Sequence, residues 1–166
     1  GNGYLNTGEQ CDDGNTSNTD TCLNDCTAAF CGDGYVESGF TKLAAGYRHT
    51  CAINSSGAVE CWGWDDYGQS SPPAGMFTRV AVGGWHTCAI NSSGAVECWG
   101  YNNYGQSSPP AGTFTQIAAG LYHTCAINSS GAVECWGRDN YGQSSPPAGT
   151  FTQISAGVWH TCGINS

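Results

Sequence analysis

The feature that most constrains this chain is a repeat. Phe40, Phe77, Phe114 and Phe151 stand 37 residues apart. Three complete units run over 40–76, 77–113 and 114–150, and a partial fourth runs over 151–166. Every complete unit carries H-T-C-A-I-N-S-S-G-A-V-E-C-W-G and then Y-G-Q-S-S-P-P-A-G. A period of this size marks a propeller, a solenoid or an array, because one unit cannot bury its apolar face without a neighbour.

Within a unit the pattern is all β. The segment F-T-x-[LVI]-x-[AV]-G reads as a short strand ending at Gly46, Gly83, Gly120 or Gly157. H-T-C-A-I reads as a second strand and A-V-E-C-W-G as a third. The stretch Y-G-Q-S-S-P-P-A-G reads as a polar connection, since paired prolines are barred from a central strand. The chain has 25 glycines and only 10% charged residues, which suits turn-rich β structure and not helical bundles. The expected fold is a propeller-blade repeat protein, partial or open, with a small cysteine-rich module at 1–39 ahead of the repeats at 40–166.

The turn in each unit fixes a register. Ser55, Ser56 and Gly57 fit a three-residue hairpin loop with Gly57 in the left-handed position of a glycine bulge. Asn54 then closes against Ala58, and counting outward pairs Ile53 with Val59, Ala52 with Glu60, and Cys51 with Cys61. Cysteines at a closely spaced pair of an antiparallel ladder can reach disulfide distance. The expectation is Cys51–Cys61, Cys88–Cys98 and Cys125–Cys135. Cys162 would find its mate ten residues on, beyond Ser166.

The remaining cysteines lie early. Cys11, Cys22, Cys26 and Cys31 are expected to pair among themselves, in one of three patterns. With 11 cysteines in 166 residues, the chain reads as a product of an oxidising, extracellular or cell-surface setting. No apolar run is long enough to span a membrane. Net charge is −9, with only 4 Lys and Arg against 13 Asp and Glu. Glu9, Asp12, Asp13, Asp20, Asp25, Asp33 and Glu37 concentrate the acidity before residue 40. Nucleic acid is therefore not an expected partner, because phosphate contacts need clustered Lys and Arg. Gly1-Asn2-Gly3-Tyr4-Leu5 echoes Gly32-Asp33-Gly34-Tyr35-Val36, and the last residues fall inside a hairpin turn, so both ends read as cut from a longer protein.

The repeats, through A-A-G-x-x-H-T-C-A-I, G-A-V-E-C-W-G and Y-G-Q, resemble regulator-of-chromosome-condensation repeats. That resemblance implies seven-bladed propellers with four-stranded blades that bind proteins across their faces. The paired cysteines and the S-S-P-P-A-G loop suggest a secreted bacterial branch. Residues 1–39 resemble a bacterial extracellular cysteine-rich repeat, through Gly8-Glu9-Gln10-Cys11-Asp12-Asp13-Gly14-Asn15, Asp20, Cys22 and Cys26. They also resemble Lin–Notch repeats, which bind calcium.

Asp12, Asp13, Asn15 and Asp20 are the candidate Ca²⁺ ligands, since a hard cation takes several oxygens from a tight acidic loop. The same residues could equally make turn hydrogen bonds. Zinc on the four early cysteines is disfavoured in an oxidising setting. His49, His86, His123 and His160 recur once per unit. A metal or proton-transfer array is one reading; a hydrogen bond from each His to backbone of its own or the next blade is the favoured one, because a catalytic site needs different residues converging. Trp62, Trp99 and Trp136 recur likewise, and Trp85 and Trp159 fall in the stretch that carries Tyr47 and Tyr122 in sister units. These aromatics are expected to pack blade against blade. Asn15, Asn54, Asn91 and Asn128 begin N-T-S or N-S-S, the pattern of a glycosylation acceptor, yet an Asn-Ser-Ser-Gly turn asks for the same residues.

No G-x-S-x-G, H-E-x-x-H or phosphate-binding glycine loop is present, so an enzyme is not expected. Near-identical repeats suit an extracellular structural or adhesive protein, such as a subunit of a filament or surface appendage, that acts by self-association or protein contact. The alternative is a propeller-type binding module or inhibitor of a secreted or surface protein.

Overall fold

In the computed structural model, residues 39–165 are described. The early cysteines Cys11, Cys22, Cys26 and Cys31, and the Ca²⁺ candidates Asp12, Asp13, Asn15 and Asp20, lie outside them, as does the N-T-S at Asn15.

The regular structure of the described residues is all β. The first blade is β1 (Phe40–Ala45), β2 (His49–Asn54) and β3 (Val59–Gly63). The second is β4 (Phe77–Val82), β5 (His86–Asn91) and β6 (Val96–Gly100). The third is β7 (Phe114–Ala119), β8 (His123–Asn128) and β9 (Val133–Gly137). A half blade follows, β10 (Phe151–Ala156) with β11 (Thr161–Asn165). Each blade is an antiparallel meander, in the order β1-β2-β3, β4-β5-β6 and β7-β8-β9. The blades therefore have three strands where the family resemblance implied four. The Ser-Ser-Pro-Pro-Ala-Gly stretch forms turns and bends instead of a strand, because a proline pair cannot donate to a ladder.

The turn chemistry sets the register. Asn54 N–H donates to Ala58 O at 2.9 Å. Gly57 sits at φ +86°, where a Cβ would be strained. Ile53 then faces Val59, Ala52 faces Glu60 and Cys51 faces Cys61, with the same pairing in the next two blades. The cysteine Cα atoms are 4.0–4.1 Å apart, and the disulfides Cys51–Cys61, Cys88–Cys98 and Cys125–Cys135 are formed.

The first strand of the second, third and half blades carries an irregularity that the repeat pattern does not announce. Register shifts between Phe77 and Arg79 in β4, and at the same place in β7 and β10. The residue skipped is a threonine whose hydroxyl donates across the pair, as from Thr78 to Ile90 O at 3.3 Å.

Apolar side chains fill the gaps between blades. Cys51, Ile53 and Val59 of the first blade meet Phe77, Val82 and Ala89 of the second, with Trp99 packed beside them. Cys88, Ile90 and Val96 meet Phe114, Ala126 and Trp136 in the same way. Between β9 and the half blade lies a cavity of about 170 Å³ lined by Gln143, Pro146, Phe151 and Thr161.

An aromatic face held by a buried relay

Each junction between blades contains one hydrogen-bonded chain. His49 Nε2 lies 2.8 Å from Thr87 Oγ1 in the next blade. Thr87 Oγ1 donates to Gln69 O at 2.9 Å, and Trp99 Nε1–H donates to that oxygen at 2.9 Å. A hydroxyl has one proton, so Thr87 must accept from His49, and the histidine carries its proton on Nε2. The second junction repeats the arrangement through His86, Thr124, Gln106 O and Trp136. The third runs through His123, Thr161 and Gln143 O.

His49, His86 and His123 thus bond a threonine hydroxyl of the next blade through the ring, and the backbone of the next blade's histidine also acts on His49 and His123. Among the described residues no three His, Cys, Asp or Glu side chains gather to hold a metal. Burial, with His49 and His123 as like-charge neighbours, pushes the pKa of His86 down to about 3. Burial also lowers His49, which Asp65 partly offsets, and lowers His123. All three rings are therefore neutral at ordinary pH, as the relay requires.

Gln69 does a second task. Its side-chain Oε1 accepts from Tyr67 N–H at 2.9 Å, anchoring the loop that follows β3. Asp65 closes the same loop by accepting from Ser70 N–H and Ser71 Oγ–H, both at 2.6 Å. Asn102 takes that place in the second blade, with Oδ1 2.8 Å from Ser107 N. The Asp-to-Asn exchange keeps the accepting oxygen, so the loop survives it. In the third blade, hydrogen bonds from the Ser145 hydroxyl and Ser144 N–H hold the exposed Asp139 carboxyl below the usual carboxylate range.

These loops lie at the end of the blade where β1 finishes, β2 starts and β3 finishes. They bring together residues far apart in sequence. The rings of Trp64 and Trp85 are 4.7 Å apart, Tyr67 and Tyr101 4.9 Å, and Tyr101 and Tyr122 6.0 Å. Tyr104 joins Tyr122 at 5.2 Å, and Trp159 joins Tyr122 at 5.8 Å and Tyr141 at 5.9 Å. Contacts near this spacing, edge to face or tilted, are the favoured ones for aromatic pairs. The Arg48 guanidinium lies over Tyr47, Trp64 and Trp85 at 5.3–5.9 Å, and that of Arg138 over Tyr104, Tyr122 and Trp159 at 5.1–5.9 Å. The result is a continuous belt of rings with a cation seated near each end. Tyr47, Tyr67, Tyr104, Tyr141 and Trp159 are exposed.

Two classes of aromatic are therefore present. Trp99 and Trp136 pack between blades, as expected, and Trp85 and Trp159 meet rings of the preceding blade in the belt, where Trp64 and Trp85 are half-buried and Trp159 is exposed. Beside the belt, Gly46, Gly83, Gly120 and Gly157 line an apolar hollow of about 250 Å³ with Val82, Leu121 and Val158.

The Asn-Ser-Ser-Gly hairpins occupy the opposite end. Asn54 Oδ1 accepts from Ser56 N–H, Ser56 Oγ–H and Ala58 N–H at 2.7–3.0 Å, while its Nδ2 donates to Glu60 at 2.7 Å. Asn91 and Asn128 do the same, so the turn employs the whole amide of each. Among the described residues Cys162 has no disulfide partner, and it is exposed.

A family model described as the regulator of chromosome condensation (RCC1) repeat matches residues 40–69, 77–106 and 114–143. The CRINKLY WD40 ectodomain of the Arabidopsis thaliana receptor kinase ACR4 is 28% identical with a TM-score of 0.67, over 80% of this chain and 48% of that one. The ectodomain of the Physcomitrella patens receptor kinase CR4 is 31% identical with a TM-score of 0.66, over 76% of this chain and 38% of that one. Prp20p of Saccharomyces cerevisiae shares the fold, with 17% identity and a TM-score of 0.69 over 78% of this chain and 44% of that one. Among curated sequences, the acetylcholinesterase collagenic tail peptide of Torpedo marmorata is 47% identical over 60 residues, which is 32% of this chain and 12% of that protein. The chain spans less than half the length of each of these proteins.

Proposed function

We propose, since this chain belongs to the regulator of chromosome condensation (RCC1) repeat family, that it is a secreted propeller-type binding module whose aromatic face takes a protein partner. One observation carries the reading: where the blades differ. His49–Gly63 and Tyr67–Gly75 are letter for letter the same in all three complete units. Outside Lys42, which becomes Arg79 and Gln116, and Met76, which becomes Thr113 and Thr150, the changes of chemical class fall on the two loops of the aromatic face. Tyr47 becomes Gly84 and Leu121; Arg48 becomes Trp85 and Tyr122; Trp64 becomes Tyr101 and Arg138. An invariant framework with one diversified face is what recognition of a particular surface requires. Three disulfides support an oxidising, extracellular setting, and the two plant structures it resembles are ectodomains. The module is a binder and not a catalyst: its buried polar groups recur identically at every junction instead of converging on one site.

A chimera tests this. Positions 48 and 64–66 and their counterparts would all carry the first blade's residues, leaving the buried Gly84 and the His–Thr–Gln hydrogen bonds between blades in place. Peptides selected from a displayed library against the native chain should not bind the chimera. Equal binding to both would overturn the proposal.

A second reading, an adhesive or filament-forming structural protein, draws on the opposite end of the blades. The Asn-Ser-Ser-Gly hairpins there are identical, which suits a surface presented many times. Sedimentation decides between them: concentration-dependent polymers would favour assembly, and a monomer up to high concentration would remove it.

A further inference from the structure

Two blade junctions enclose a tryptophan in the same surroundings. At the first, Trp99 of β6 lies opposite Thr87, packs 6.4 Å from the Phe77 ring and donates from Nε1 to Gln69 O. At the second, Trp136 of β9 does the same with Thr124, Phe114 and Gln106 O. At the third, the counterparts of those partners, Thr161, Phe151 and Gln143, line the cavity of about 170 Å³. Val133, Cys135 and Ile154 complete its wall. Their counterparts Val59, Cys61 and Val80 belong to the apolar cluster against which Trp99 packs. Among the described residues β11 pairs with β10 alone, whereas β2, β5 and β8 each lie between two strands.

We infer that this cavity is a binding site for a tryptophan side chain, carried by an extended partner strand that adds antiparallel to β11. The two filled junctions specify the occupant. The register that sets Trp99 opposite Thr87 and Cys98 opposite Cys88 places the tryptophan opposite Thr161 and the residue before it opposite the exposed Cys162. A partner segment of the form Val-Glu-Cys-Trp-Gly meets both. The hydrogen-bond acceptor is in place. Gln143 O accepts from Thr161 at 3.2 Å, and a carbonyl oxygen has a second lone pair, which the indole uses on Gln69 O and Gln106 O. The space also suits a ring, since apolar cavities of ~150 Å³ already admit benzene. Main-chain bonds along a strand edge supply affinity and a pocketed side chain supplies specificity. The site lies outside the positions exchanged in the chimera, so it stands or falls separately from the aromatic face.

Three blocked peptides test the inference on the full chain, read by the backbone amide resonances of β11. The first is Ala-Val-Glu-Ser-Trp-Gly. The second carries 1-methyltryptophan, which keeps the ring and loses the N–H donor. The third has alanine in place of tryptophan. The tryptophan peptide should shift the β11 amides saturably. The alanine peptide should bind at least about tenfold more weakly, and the methylated one should fall between. Equal affinity for the tryptophan and alanine peptides, or no saturable shift, would overturn the inference. Ile154→Phe narrows the cavity from within; once shown to keep the parent circular dichroism spectrum, it should lose the preference for tryptophan, and full retention would overturn the site. A second readout uses Val-Glu-Cys-Trp-Gly with its cysteine held as a 2-thiopyridyl disulfide. The Cys162 sulfur attacks the peptide sulfur, a disulfide forms between them, and pyridine-2-thione leaves and is read by absorbance. Exchange should run at least about tenfold faster than with the alanine-for-tryptophan peptide, and equal rates would count against the register. Self-association of the chain that the tryptophan peptide reverses would assign the site to a second copy and overturn a separate partner.

Discussion

His49 and Thr87 meet across the first blade junction at 2.8 Å, and the direction of that bond is decided by a third group. Because the Thr87 hydroxyl spends its proton on Gln69 O, the histidine must donate. Removing the hydroxyl therefore leaves a buried N–H without an acceptor. At the better-buried second junction, Thr124→Val keeps shape and should cost about 1–3 kcal/mol in urea unfolding. Thr124→Ser should stay within about 1 kcal/mol of the parent.

Acid should weaken the fold through the same histidines. His86 titrates near 3 when folded and near 6.5 when unfolded. The unfolded chain thus binds a proton that the folded chain refuses. Stability is full above about pH 6.5 and declines as pH falls towards 3, by about 3 kcal/mol at pH 4 from this residue. His86→Gln, whose Nε2 can still donate to Thr124, should flatten the slope. A midpoint that does not change between pH 7 and 4 would show that the ring is not held neutral.

The disulfides close loops with a sequence separation of 10. Removing one should cost about 2–3 kcal/mol, by freeing the unfolded chain. The double variant Cys88→Ala with Cys98→Ala should show this in chemical denaturation while keeping the parent far-ultraviolet spectrum. Linkage of Cys61 to Cys88 in mass spectra would contradict the hairpin register.

Two glycines should respond oppositely to size and to angle. A Cβ on Gly83 would stand 2.6 Å from Gly120 O and 2.4 Å from His86 Cε1, which is backbone and buried ring. Gly83→Ala should therefore cost about 2 kcal/mol or more through overpacking. Gly105 has φ +79° with nothing within 4 Å, so Gly105→Ala pays only the conformational term, about 1 kcal/mol. Reversed costs would mean that the blades are not packed backbone to backbone at this point.

The hairpin was legible in the sequence because its chemistry is local. Asn54, Gly57 and the even spacing of Ile53, Cys51, Val59 and Cys61 lie within one turn and two strands, so counting is enough. The partner of His49 was not legible, because Thr87 lies 38 residues on and meets it only once two blades are docked. The belt was hidden for the same reason: Tyr67 and Tyr101 belong to different units and touch only through the propeller's curvature. A signal for it did exist. Lining up the units shows chemistry changing at 42, 47, 48, 64 and 76, and the fold gathers 47, 48 and 64 of these at one end of the blades. The four-strand expectation failed at Pro72 and Pro73, where backbone donors are missing.

The relay has a consequence for how such a chain can change over generations. Each junction is closed by the same His, Thr and Gln residues, set at the same intervals, so any blade can follow any other. Gaining or losing one 37-residue unit by recombination within a repetitive gene demands no compensating change in the interior. Length can then drift freely while selection acts on the few letters at the rim.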